Sequence, residues 1–147
     1  MEIREAVAAD VPAIVALLAD DPLGQTRETP GDPAYAAAFE AMTRQDGNAF
    51  LVAVAPEGRL LGCLQLTLIH GLSRKGMTRA QIESVRIAEA ARGTGLGRAL
   101  MQAAIARARG AGCGLVQLTT DKTRDDAHRF YEALGFAATH EGMKRPL

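Results

Sequence analysis

Tryptophan is absent from the 147 residues, and only two tyrosines and four phenylalanines are present, so the core must be built from aliphatic side chains. The two cysteines, Cys63 and Cys113, stand singly in apolar segments, with no Cys-x-x-Cys pair and no paired histidines beside them. That spacing excludes a disulfide framework and a structural zinc site, and both read as reduced core thiols; no metal is expected. Charge of one sign is not in excess: lysine plus arginine and aspartate plus glutamate both number 17, so no basic field exists to hold nucleic acid or anionic lipid. Apolar runs stay well short of the roughly 18 residues of a membrane span. The first ten residues, with Glu2, Arg4, Glu5 and Asp10, lack a secretory signal, and a cytoplasmic location is expected. The length suits one domain, 1–147, able to bury roughly two-thirds of its unfolded surface.

What is present is a dense alternation of elements. Glu2 to Val7 reads as a strand; Asp10 is placed to cap a helix whose apolar face is Val11, Ile14, Val15 and Leu18, stopped by Asp20-Asp21-Pro22. Leu23 to Pro33 reads as a mobile connection and Pro33 to Arg44 as a second helix. Phe50 to Ala55 and Leu60 to Ile69 are strands joined by Pro56-Glu57-Gly58, and Gln81 to Ile87 is the next strand. A long helix from Gly97 to Arg109, a strand from Gly114 to Thr120, a helix carrying Tyr131, and two closing strands, Phe136 to His140 and Met143 to Pro146, complete the series.

Arg92-Gly93-Thr94-Gly95-Leu96-Gly97-Arg98 joins a β-branched strand to the start of that long helix. The first turn of a helix leaves backbone N–H groups without partners and carries about half a positive charge, which suits a pyrophosphate. No Lys-Ser/Thr pair follows the last glycine, and Arg98 stands where a dinucleotide fingerprint needs glycine, so neither nucleotide motif is met. The alternative for such a turn is plain packing. Farther on, Ala127, Phe130, Tyr131 and Leu134 share one helix face, Thr123 and Asp126 form a capping box, and Gly135 stops the helix.

Arg92-x-x-Gly95-x-Gly97 followed by Ala127-x-x-x-Tyr131 and Gly135-Phe136 resembles the two signatures of the GNAT superfamily of N-acetyltransferases. The resemblance implies an α/β fold with a mixed, mostly antiparallel sheet, splayed between its fourth and fifth strands and flanked by about four helices. It implies acetyl-coenzyme A as co-substrate, a small-molecule or peptide amine as acceptor, and room for a homodimer. A catalytically idle acyl-coenzyme A sensor or assembly module is the alternative. By the same resemblance, backbone groups of Val85 and Ile87 hold the pantetheine arm; Arg92, Gly93, Thr94, Gly95, Gly97 and Arg98 hold the pyrophosphate; Arg124 and Ala127 line the cofactor. Arg124 replaces the family's usual Asn, and with Lys122 it can reach a 3′-phosphate or remain solvated. Strict strand alternation would put Gln81, Glu83, Val85 and Ile87 on one face and Ile82, Ser84 and Arg86 on the other.

Acetyl transfer requires a base for an amine that arrives charged, a donor for the developing oxyanion, and an acid for the departing sulfur. Glu83 is the candidate base, its alternative role being structural, in a pair with an arginine or in ordering a buried water. Tyr131, with an ordinary pKa near 10, is the candidate acid, its alternative role being a core aromatic. A backbone N–H near Val85 is the oxyanion donor. His70, His128 and His140 read as surface or capping residues.

Overall fold

The computed structural model describes residues 1–147. Strand β1 (Glu2–Glu5) leads into α1 (Val11–Ala19), and a 3-10 turn at Gly24–Thr26 precedes α2 (Ala34–Arg44). Next come β2 (Asn48–Val54), β3 (Leu60–Ile69), the one-turn α3 (Ser73–Gly76), β4 (Arg79–Ile87), α4 (Leu96–Gly110), β5 (Leu115–Leu118) and α5 (Asp125–Glu132). The strands lie in chain order, β1 to β4 antiparallel and β4–β5 parallel. This is the mixed α/β sheet expected from the sequence. The parallel ladder runs only from Arg79–Leu115 to Ile82–Leu118, whereas β4 continues to Ile87. Beyond Ile82 the two strands part, and one edge of β4 has no strand partner.

Two apolar layers sandwich the sheet. Leu96, Leu100, Met101, Ala104 and Ala108 recur at helical spacing on α4 and pack on Leu51, Leu64, Leu66, Ala80 and Ile82. On the opposite face Ile14 of α1 packs against Val52, Val54 and Cys63. No helix is long and apolar enough to cross a membrane.

Several sequence expectations need correction. The two closing strands do not form, since no residue beyond α5 joins a ladder; the Thr139 amide bonds to the Ala137 carbonyl at 3.0 Å, a local turn that takes up an amide a ladder would use. Asp10 does not cap α1. Its carboxylate accepts the Val7 amide at 2.8 Å and takes both ends of the Arg4 guanidinium at 2.7 and 3.0 Å, a charge-assisted pairing stronger than a neutral cap. The Thr123–Asp126 box is likewise replaced: the Thr123 amide and hydroxyl both donate to Asp121 Oδ1, at 2.9 and 2.6 Å, and Asp126 pairs with Arg129 instead.

Candidate active site

Strand β4 does not alternate as expected. Gln65 stands opposite Glu83 and Cys63 opposite Arg86, so Leu64 of β3 faces two residues of β4, Ser84 and Val85. That is a β-bulge, and Ser84 holds it with φ of 54°, a left-handed conformation uncommon for a residue with a side chain. The extra residue inverts the phase of everything after it. Val85 and Ile87 therefore pack into the α4 core with Ala80 and Ile82, while Arg86 joins Gln81 and Glu83 on the α1 face. The expected grouping of Glu83 with Val85 and Ile87 is overturned.

The glycine loop has the geometry the sequence predicts. Gly93 and Gly95 have φ of 75° and 86°, and a Cβ built on either would meet nothing within 4 Å, so open space lies in front of the turn. The amides of Gly93, Thr94, Gly95, Leu96, Gly97 and Arg98 donate to no protein acceptor; the first helical bond of α4 is from the Ala99 amide to Gly95, 3.1 Å. Gly97 serves differently, because its Cβ would lie 3.4 Å from the Phe130 ring and 3.6 Å from Ile87. It is the point where α4, α5 and β4 converge. Arg92 donates Nε–H to the Ile87 carbonyl at 3.2 Å, and the Thr94 hydroxyl donates to Ala91 at 2.7 Å, which fixes the loop on the end of β4.

Tyr131 is half-buried on α5, edge-on to Phe130 at 5.2 Å and to Phe136 at 6.0 Å, and its hydroxyl makes no hydrogen bond. Burial pushes its phenol above the ordinary value, with the Arg124 and Arg86 guanidiniums pulling the other way. The phenol thus keeps its proton at neutral pH while two cations stand ready to stabilise its loss. Glu83 is exposed and free of any ion pair or hydrogen bond, so the structural pairing weighed for it does not occur. Lys122 pairs with Glu141 at 3.1 Å. His70, His128 and His140 engage Thr78, the Asp121 carbonyl and Thr139.

The sequence offers Asp21 only as one of the carboxylates, with Asp20, Glu28 and Glu83, that would favour a cationic amine acceptor, and its pairing with Arg86 is not legible there. Asp21 is the one buried charged residue, and its two oxygens lie 3.3 Å from Arg86 and 3.4 Å from Arg124, which sits at the N-cap of α5. The only sequence signal was an arginine inside an otherwise apolar strand end. Without the bulge, Arg86 reads as facing away from Glu83.

A sequence profile described as the acetyltransferase (GNAT) family matches residues 12–136. The chain belongs to the GNAT acetyltransferase family. A GNAT-fold structure described as a transcriptional regulator from Bacillus halodurans C-125 is 46% identical, with a TM-score of 0.95 over 99% of each chain. The L-methionine sulfoximine/L-methionine sulfone acetyltransferase of Pseudomonas paraeruginosa is 35% identical over 141 residues, 91% of this chain and 78% of that protein. The mycothiol acetyltransferase of Salinispora tropica is 39% identical over 94 residues, 63% of this chain; the chain spans only 30% of that relative's length. The glycine loop and the Tyr131 helix both lie within the matched residues.

Proposed function

We propose that the protein is an N-acetyltransferase that moves an acetyl group from acetyl-coenzyme A to a primary amine of a small molecule or peptide. The observation that carries this reading is the row of unpartnered amides from Gly93 to Arg98, beside the parting of β4 and β5. Such a row at a helix start binds anionic phosphate oxygens through backbone groups and the helix dipole together. Gly93, Gly95 and the other loop residues, with Arg92 and Arg98, hold the pyrophosphate in this reading; the free edge of β4 at Val85 and Ile87 holds the pantetheine, and Arg124 and Ala127 form the facing wall. The Val85 and Ile87 carbonyls already accept from Arg86 and Arg92, and each keeps a second lone pair.

Bound acetyl-coenzyme A supplies an activated acetyl thioester. Glu83, unpaired and exposed, takes a proton from the incoming ammonium directly or through water. A backbone N–H near Val85, held by the bulge, donates to the developing oxyanion. Tyr131 delivers its proton to the departing sulfur. The relatives whose names give an acceptor act on small molecules, which supports a small-molecule acceptor here. The reading carries with it a cytoplasmic enzyme, monomeric or homodimeric, that uses no metal.

The test is free thiol released from acetyl-coenzyme A across a panel of primary amines. Amine-dependent release is expected. Tight binding of acetyl-coenzyme A with no release from any amine would instead favour an idle acyl-coenzyme A sensor or assembly module.

A further inference from the structure

Arg86, Asp21 and Arg124 come from three elements, β4, the turn after α1 and the start of α5, and meet at the place where β4 and β5 part. Two guanidiniums against one carboxylate leave a net single positive charge, part of it deep in the protein. The cluster is also incomplete. Asp21 Oδ2 and Arg86 Nε are buried and neither makes a hydrogen bond, although Oδ2 lies in ion-pair range of Arg86 Nη2 at 3.3 Å and Arg86 Nη1 donates to the Val85 carbonyl at 2.9 Å. Asp21 is 7% exposed, so water does little to relieve this. Glu83 lies on the same face of β4 as Arg86, brought there by the Ser84 bulge, and is itself unpaired.

These groups complement a zwitterion. Resting on the amine-acetylation reading above, we propose that the acceptor is an α-amino acid or a close analogue, its amine presented to Glu83 and its carboxylate received by Arg86 and Arg124. The surplus charge decides between anions: a single positive charge is neutralised by a carboxylate, whereas a phosphate dianion would leave the site negative. The planar guanidinium fork matches a carboxylate in geometry, and an arginine at position 124 supplies a charge that the asparagine usual there cannot. The Arg124 side chain reaches across to Asp21, 3.4 Å away.

The experiment compares matched acceptors, each α-amino acid with its α-carboxamide and with the amine lacking the carboxyl group, by kcat/KM for thiol release. The carboxamide amine loses its proton more readily, so any preference for the acid runs against that bias. Wild-type protein is expected to prefer the acids by about tenfold or more, the scale of a charge-assisted pair. Arg124→Gln should cut the preference for acids over their carboxamides about tenfold, read as the ratio of the two kcat/KM values within the same variant preparation. The wild-type ranking stands whether or not the variant folds. Equal or better use of carboxamides and plain amines by wild-type protein would overturn the proposal while leaving amine acetylation intact. A preference for acids that survives Arg124→Gln would also overturn it. No release from any acceptor would overturn both readings.

Discussion

At the level of single residues, the two expected proton-transfer groups occupy opposite environments. Tyr131 is half-buried and surrounded by aromatic edges, whereas Glu83 faces solvent without a partner. The contribution of Glu83 as a base rests on position and should be replaceable when the amine arrives deprotonated. Glu83→Gln is therefore expected to retain acetyl-coenzyme A binding, slow turnover at neutral pH by about 10²-fold or more, and recover at alkaline pH; a steady-state pH profile checks this. A profile identical to that of the parent would assign the proton to a water chain. A uniform loss at every pH would make Glu83 a positioning residue. The burial of Asp21 was not legible, because nothing in Asp20-Asp21-Pro22 distinguishes a solvated carboxylate from the buried centre of an ion-pair cluster.

At the level of elements, β4 shows where sequence periodicity gives out. Hydrophobic alternation located the strand and its end, yet the bulge sits on a serine, and no glycine marks the left-handed position. One added residue then moved Arg86 to the face of Glu83 and Val85 and Ile87 into the core. The glycine loop and α4 were legible because their signal is compositional: Gly93 and Gly95 carry the positive φ, and Gly97 admits Phe130. This division of labour gives a controlled test of the anion site. Gly97→Asn and Gly97→Asp share the cost of a Cβ set 3.4 Å from Phe130 and differ in charge. Asp in a first helical turn favours the helix itself, so a charge effect on stability should be small or helpful. Acetyl-coenzyme A is nonetheless expected to bind the Asp variant about tenfold more weakly than the Asn variant by calorimetry, the 1–2 kcal/mol of one charge-assisted phosphate contact. Equal affinities would remove the pyrophosphate from this turn.

Across the whole molecule, a sheet covered on both faces holds β4 so that its last residues project past the end of the β5 ladder, and the slot follows from that difference in length. The strand and helix order was legible because each element carries its own period; the absence of the closing strands was not, since Phe136 to Pro146 has strand-like residues and yet pairs with neither the free edge of β4 nor that of β5. The N-terminal end is fastened by Arg4 and Asp10. Hydrogen bonding to Arg4 holds the Asp10 carboxyl below its ordinary range, so the pair stabilises the fold at neutral pH and that contribution is lost as pH falls through the lowered value. Asp10→Asn should lower the melting temperature by a few degrees at pH 7 and by progressively less below about pH 4; a gap that is constant with pH would show that the charge is not responsible. The central claim, that this slot acetylates amines with Tyr131 as the acid, is tested most directly by single-turnover thiol release from protein preloaded with acetyl-coenzyme A and mixed with an amine. Tyr131→Phe keeps the ring contacts and removes the proton, so release is predicted to slow by about 10²- to 10³-fold with acetyl-coenzyme A affinity held within a few fold. A Tyr131→Phe release rate within twofold of wild type would contradict the account.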